Sequence, residues 1–257
     1  MRFLSEVRRG ALGALAVGIA VMMGGGVSAQ ETIDADGGTI TVSPVQHGTL
    51  ALSFNGTTIL VDPAPLGDQA QPTIDAIKAL PAPQIVLVTD IHGDHFNVDV
   101  LSAVSGDAAL VVPQAVADKL PDALKAKVTV LANGASTEVA GVSIEAVPMY
   151  NTTEDRLKFH EKGRGNGYVV TLGGKRVYIA GDTEDTAEMR ALTGIDVAFL
   201  PMNLPYTMSV EQAADAVRAF KPAVVLPYHY GDSDVDRFTA LVGDAADVRL
   251  LAWYPKT

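Results

Sequence analysis

The chain has 257 residues, 48% of them apolar, and it carries a formal charge of −11 with no cysteine. This length and apolar content suit one globular domain or two small ones. The acidic surface repels nucleic acid and anionic membranes, which argues against a nuclease. Without cysteine there are neither disulfides nor thiolate ligands, so any metal site must use His, Asp and Glu.

The first 29 residues have the pattern of a secretory signal peptide. Three arginines precede an apolar stretch over residues 11–23, and Val27-Ser28-Ala29 offers small residues for cleavage. The stretch is short for a membrane span, and an uncleaved anchor is the alternative. Removing three Arg and one Glu with residues 1–29 leaves 16 basic and 29 acidic side chains, a formal charge of −13. We therefore predict one domain over residues 30–257, in a bacterial periplasm or secreted.

The first half of the remaining chain is predicted to begin with strands and continue with alternating strands and helices. Residues 30–38 are polar and are predicted to be frayed. Asn55-Gly56 predicts a tight hairpin between two strands. The predicted strands span residues 39–45, 49–54, 57–61, 85–88 and 109–112, and the predicted helices span 73–79, 98–104 and 114–120.

The same order repeats after residue 120. Gly173-Gly174 predicts a second hairpin, and Ser209 is the predicted N-cap of a helix. Two such halves predict two sheets packed face to face with helices outside. The predicted strands span 128–131, 137–139, 142–147, 168–172, 176–180, 197–200, 223–226 and 248–252, and the predicted helices span 186–192, 210–220 and 235–241.

The segment Asp90-Ile91-His92-Gly93-Asp94-His95 follows a predicted buried strand and contains four potential metal ligands. On an extended loop alternate residues point the same way, so Asp90, His92 and Asp94 are expected to converge on one point. Imidazole and carboxylate together suit zinc, iron or manganese. Because two of the five histidines of the chain lie here, we interpret the segment as a metal site rather than a polar loop.

Two further strands end on a potential ligand. Asp182 follows the strand predicted over 176–180, and His229 follows the strand predicted over 223–226. Alone, a Gly-Asp-Thr sequence is often a helix cap, and a histidine between two tyrosines is often a packed neighbour. Three strand ends carrying such residues are more specific together, because the exit ends of buried strands are where folds of this kind assemble chemistry.

This set of motifs resembles that of the metallo-β-lactamase fold superfamily of metal-dependent hydrolases. Asp90 to His95 matches its His-x-His-x-Asp-His motif, Asp182 its bridging aspartate, and His229 its final histidine. His47-Gly48-Thr49 and Asn203-Leu204-Pro205-Tyr206 resemble the branch that includes ascorbate-6-phosphate lactonase-like and uncharacterised proteins. The resemblance implies an α/β fold, a four-layer αββα sandwich with two metal ions in a groove at one edge.

Two positions depart from the family pattern. Asp90 stands where the first histidine is expected, and it either ligates the metal or hydrogen-bonds a ligating histidine. No histidine follows the strand predicted over 142–147, so His160 is the remaining candidate, with a surface or substrate-facing role as the alternative. The ligand sets implied by the resemblance are Asp90, His92 and His160 for one metal, and Asp94, His95 and His229 for the other, with Asp182 bridging. Zinc is the expected metal, with manganese or iron as alternatives.

The resemblance implies hydrolysis of an ester, lactone, amide or phosphodiester in a small molecule, with Asp94 orienting a metal-bound hydroxide. The alternative is a non-catalytic or mononuclear metal-binding protein that keeps the fold. A true β-lactamase is less favoured, because the histidine motif is altered. His47 is expected to support the site and Asp62 to anchor its own turn. The candidate hydrogen-bond donors to a substrate are Tyr206, Tyr228 and Tyr230, although packing also explains each of them.

Overall fold

A computed structural model describes residues 30–254, so the predicted signal peptide lies outside the described residues. Two seven-stranded sheets stack face to face, and helices cover the outer face of each sheet. This arrangement confirms the expected αββα sandwich. Within the described residues, no helix combines the length and apolar character needed to cross a membrane.

The first sheet follows chain order. Its first four strands are antiparallel, and the strands from β4 to β7 run parallel. The strands are β1 (Glu31–Ala35), β2 (Gly38–Gln46), β3 (Thr49–Phe54), β4 (Thr57–Val61), β5 (Ile85–Leu87), β6 (Ala109–Val112) and β7 (Val128–Val130). The helices are α1 (Ala70–Lys78), α2 (Val98–Val104), α3 (Gln114–Ala117) and α4 (Asp122–Lys125).

The second sheet repeats this plan, with four antiparallel strands followed by a parallel section. Its strands are β8 (Ser136–Val139), β9 (Val142–Met149), β10 (Gly165–Leu172), β11 (Lys175–Ile179), β12 (Val197–Pro201), β13 (Val224–Tyr228) and β14 (Asp247–Val248). Its helices are α5 (Ala187–Arg190), α6 (Val210–Phe220) and α7 (Val235–Val242), with short 3₁₀ turns over Glu154–Arg156 and Gly243–Ala245.

The parallel strands are buried on both faces, as expected for strands covered by a sheet on one side and helices on the other. In β5, Ile85 and Leu87 face the core between the sheets, whereas Val86 packs towards the helices. In β11, Tyr178 faces the helices on the other side of the molecule. Such strands read as continuous apolar runs, which is why the sequence predicted them well.

Helix α6 shows how local signals place an element. Ser209 accepts a hydrogen bond from the Gln212 N–H, and the Gln212 side chain accepts one from the Ser209 N–H, completing a capping box. The helix runs over the predicted residues and ends where Lys221 takes a left-handed conformation.

Four predictions about the elements are wrong. Residues 31–35 are not frayed, because they pair with β2. The strand after residue 127 belongs to the first sheet rather than the second. The helix predicted over 114–120 ends at Ala117, because Pro121 cannot continue it. The last strand is shorter than predicted, since the chain leaves the sheet edge to bury Leu251 and Trp253 in the core.

Candidate metal centre

The loop that follows β5 folds into tight turns instead of staying extended. The backbone N–H groups of His95 and Phe96 both donate to the His92 carbonyl, at 3.1 and 2.8 Å. Because of these turns, alternate side chains do not point the same way. The expectation that Asp90, His92 and Asp94 converge on one point is therefore wrong: Asp94 faces a different group of residues.

Seven potential ligands form two groups, and in each group one possible ligand atom per residue lies within 4.8 Å of the others. The first cluster is Asp90, His92 and His160, and the second cluster is Asp94, His95, Asp182 and His229. The structure thus brings together all seven residues implied by the resemblance. Metal binding by each of them stays a prediction.

Asp182 lies between the two clusters. Its Oδ1 is 3.3 Å from His95 Nε2 and 3.3 Å from His229 Nε2, whereas its Oδ2 is 3.3 Å from His160 Nε2. The side chain is almost fully buried and follows β11, whose strand geometry fixes its position. One carboxylate therefore presents a separate oxygen to the histidines of each cluster, which suits a bridging role.

Several buried polar atoms of the site are suited to bind a cation. His95 Nε2, His160 Nε2 and Asp182 Oδ1 have no hydrogen-bond partner among residues 30–254. Buried polar atoms are normally paired, so a group of unpaired ones needs an explanation. Imidazole nitrogens and carboxylate oxygens at this spacing are suitable ligands for a divalent metal ion.

Asp62 orients the His95 ring through its Nδ1 atom. Its Oδ2 lies 2.8 Å from His95 Nδ1, and it accepts hydrogen bonds from the Thr89 N–H at 2.7 Å and the Thr89 hydroxyl at 2.6 Å. A carboxylate that accepts the Nδ1 proton leaves Nε2 free to bind a metal. The expectation that Asp62 only anchors its own turn was too narrow, because the residue also holds the ligand loop.

His160 is buried, not exposed at the surface. Its Nδ1 donates to the Tyr206 carbonyl at 3.2 Å, so that Nε2 faces the site. The loop that carries it is anchored by the buried Glu184 carboxylate, which accepts the N–H groups of Thr152 and Thr153, each at 2.6 Å. Such fixation favours ligation over the surface role.

His47 connects the second cluster to the end of the chain. Its Nδ1 lies 2.8 Å from the Tyr254 hydroxyl, which in turn accepts the Gly231 N–H at 2.9 Å. The hydroxyl therefore donates to Nδ1, and the Nε2–H of His47 donates to Asp94 Oδ2 at 3.3 Å. Burial lowers the pKa of His47, which agrees with this neutral form. Tyr254 lies in no motif, and no sequence signal indicated it.

The second cluster is held together by opposite charges. Burial disfavours ionised Asp182, but the charges of His229 and His95 lower its pKa well below the ordinary value. Burial also disfavours protonated His95, yet the carboxylates of Asp182 and Asp62 raise its pKa well above the ordinary value. A divalent cation bound here would be attracted by the same carboxylates.

The three candidate tyrosines have different environments. Tyr228 is fully buried and its hydroxyl accepts the Gly181 N–H at 2.8 Å, so it is a core residue. Tyr230 packs edge-to-face on Tyr254. Tyr206 is 46% exposed and lines the pocket above the two clusters. Only Tyr206 is therefore placed to meet a substrate.

We expect a chelator to destabilise the protein. A metal ion that binds only the folded chain stabilises it by roughly 4 kcal/mol when present at 1,000 times its dissociation constant. Its removal should lower Tm by roughly 10 °C in a domain of this size. Differential scanning calorimetry before and after treatment with EDTA measures this shift, and added zinc should reverse it. An unchanged Tm after verified metal loss would contradict a stabilising metal site.

Comparison with known proteins agrees with this geometry. Residues 41–229 match the model of the beta-lactamase superfamily domain. A UPF0173 metal-dependent hydrolase of Pyrococcus abyssi is 37% identical over 204 residues, which cover 75% of this chain and 88% of that protein. The chain therefore belongs to the metallo-β-lactamase superfamily, among its metal-dependent hydrolases.

Solved structures give the same assignment. A protein from Parabacteroides distasonis, described as a metal-dependent hydrolase, superimposes with a TM-score of 0.77 at 38% identity, covering 87% of this chain and 98% of that one. A metallo hydrolase from Ignicoccus hospitalis superimposes with a TM-score of 0.67 at 24% identity, covering 82% of this chain and 94% of that one. The second likeness supports the fold alone.

Proposed function

We propose that this protein is a binuclear hydrolase that cleaves an ester, lactone, amide or phosphodiester bond in a small molecule. The observation that carries the proposal is Asp182, which presents one carboxylate oxygen to each cluster. Mixed imidazole and carboxylate ligands support zinc, with manganese or iron as alternatives.

Divalent metal ions bound in the two clusters would polarise the scissile group and lower the pKa of water. Asp94 is the residue placed to orient that water. Its side chain is 36% exposed and lines the pocket. Burial opposes its ionised form, but hydrogen bonds from His229 and His47 lower its pKa below the ordinary value. Ionised Asp94 can therefore accept a hydrogen bond from the attacking water, while His47 keeps the carboxylate in place.

The pocket above the clusters suits a small substrate with an apolar part. Its volume is about 220 Å³. Phe159 and Tyr206 form an edge-to-face pair on its wall, with ring centroids 5.0 Å apart. Asn203 also lines the pocket, and its side-chain amide has no hydrogen-bond partner within the described residues. This amide is available to a polar group of the substrate.

We expect Tyr206→Ala to raise KM about tenfold and Tyr206→Phe to leave it nearly unchanged. Removing the ring would cost about 1.5 kcal/mol of binding free energy from apolar contact with the substrate, which corresponds to that factor. Steady-state kinetics of the two variants on the same substrate measure the difference. An equal increase of KM in both variants would show that the hydroxyl, rather than the ring, meets the substrate.

A substrate panel tests the proposed activity. Zinc- and manganese-loaded protein would be assayed on a chromogenic ester, a lactone, an anilide and a nitrophenyl phosphodiester. At least one should be turned over, and Asp94→Ala should reduce kcat by about 10²- to 10⁴-fold, the usual contribution of a positioned acid or base. Turnover that is unaffected by Asp94→Ala would contradict the proposed role of this residue.

The alternative is a metal-binding protein without catalysis. Its main support in the sequence was the missing third histidine, and His160 now lies at the first cluster with Nε2 facing Asp182. Elemental analysis distinguishes the two functions: two metal ions per chain support the hydrolase, and one or none supports the alternative.

We further propose that the protein acts in the periplasm or outside the cell, on a small molecule and not on nucleic acid. The pattern of residues 1–29 and the acidic composition support this location and this choice of substrate. Mass spectrometry of the protein recovered from the periplasm of a bacterial host should give a chain that begins near Gln30.

A further inference from the structure

Arg164 is a cation beside the first cluster that no motif explains. Its Nε lies 3.2 Å from Asp90 Oδ1, and its Nη2 lies 3.1 Å from Asp90 Oδ2. The Asp90 side chain is fully buried, and that of Arg164 is 19% exposed. This two-point contact is the fork geometry in which a guanidinium fixes the plane of a carboxylate.

The same guanidinium fixes the loop that carries His160. Arg164 Nη2 donates to the Phe159 carbonyl at 2.5 Å, and that carbonyl belongs to the peptide bond directly before His160. Asp90 and His160 are the two members of the first cluster that depart from the family pattern. One side chain therefore contacts both the carboxylate and the backbone that supports the loop histidine.

Arg164 also indicates which nitrogen of His92 faces a metal. His92 Nε2 lies 3.4 Å from Arg164 Nη2, whereas His92 Nδ1 lies 2.7 Å from Asp90 Oδ2. Nδ1 therefore lies on the side of Asp90 and is the His92 nitrogen that would bind a metal together with Asp90, whereas Nε2 lies beside the guanidinium.

We infer that Arg164 is the positioning residue of the first cluster, holding Asp90 and the loop of His160 so that both can bind one metal ion. This inference rests on the proposed binuclear site. Where the motif of the superfamily has a histidine, this chain has the carboxylate of Asp90, and the guanidinium both orients that carboxylate and balances its charge. Positioning requires the fork, so a lysine at residue 164 is not an adequate replacement.

The test measures zinc binding by the whole protein. Metal-free wild type, Arg164→Gln and Arg164→Lys would be titrated with zinc alone by calorimetry, followed by elemental analysis at a fixed buffered zinc concentration. Wild type should bind two zinc ions. Both variants should keep one site unchanged and bind the other about 10- to 100-fold more weakly, the usual effect of losing a partner that orients a metal ligand.

Two further variants make the outcome specific. Arg176→Gln removes a comparable two-point contact with Glu145 at the start of β11, and it should bind both zinc ions as wild type does. Asp90→Asn should weaken the same site as Arg164→Gln. Arg164→Gln should weaken zinc binding further in the Asp90→Asn background, but by a smaller factor than in wild type, because the arginine acts partly through Asp90 and partly through the loop of His160.

Each result has a defined meaning. Two unchanged zinc sites in Arg164→Gln would overturn the inference and leave the proposed function standing. Zinc affinity of Arg164→Lys equal to that of wild type would overturn the inference, because it would show that the residue balances charge and does not position the ligands. Fewer than two zinc ions in wild type would contradict the binuclear function itself, independently of Arg164.

Discussion

Asp182→Ala is expected to abolish hydrolysis and to weaken metal binding in both clusters at once. Among residues 30–254, this carboxylate is the one group that faces the histidines of both clusters, so its loss would remove a proposed ligand from each. A metal contributes several kcal/mol of transition-state stabilisation, and losing about 4 kcal/mol lowers the rate roughly 1,000-fold. Metal content by elemental analysis and kcat/KM on the best substrate of the panel measure the two effects.

The control for this variant is Asp107→Ala, because Asp107 is fully exposed and distant from the ligand residues in the chain. It should keep wild-type activity and metal content. Circular dichroism would show whether Asp182→Ala keeps its secondary structure. An active Asp182→Ala enzyme with two bound metal ions would exclude a bridging role for this residue.

Asp62→Asn is expected to lower both metal affinity and stability. The amide NH₂ would face His95 Nδ1 and donate to it, placing the histidine proton on Nε2, the atom that must bind the metal. Zinc affinity of the second cluster should fall about 10- to 100-fold. Replacing a buried charged acceptor should also cost roughly 1.5–3 kcal/mol. Asparagine tolerates the left-handed backbone of this residue, where φ is 45°, so the backbone is not strained.

Zinc titration and urea unfolding of the metal-free protein separate these two effects. Asp107→Asn is the matched exposed control and should change neither quantity. If Asp62→Asn bound zinc as tightly as wild type, the carboxylate would have no role in orienting His95. A loss of stability without a loss of zinc affinity would show that Asp62 is only a structural residue of the turn.

Most of the fold and all seven candidate ligands could be predicted from the sequence. Strands such as β5 and β13 are short apolar runs, and their ends are marked by the polar residues that follow. The hairpin at Asn55-Gly56 and the capped helix α6 depend on signals within a few residues. Local determinants of this kind are visible in the residue types and their spacing.

The parts that could not be predicted depend on contacts between distant residues. Arg164 pairs with Asp90 across 74 positions, and Tyr254 bonds His47 across 207. The division of the ligand loop between two clusters was implied by the resemblance to the superfamily, but the alternation of residues along the loop predicted a single point. The division follows from the turns that close on the His92 carbonyl, which residue types alone did not specify. The pairing of distant residues and the geometry of turns were therefore the features that residue types and their spacing did not predict.

Because the two sheets repeat one plan, the candidate metal centre is built from residues of both repeats. The chain up to β7 contributes Asp90, His92, Asp94 and His95, and the chain from β8 onward contributes His160, Asp182 and His229. Neither half contains a complete ligand set for either cluster. A metal ion in each cluster would thus link the two repeats through coordinate bonds, and its binding energy would stabilise their association.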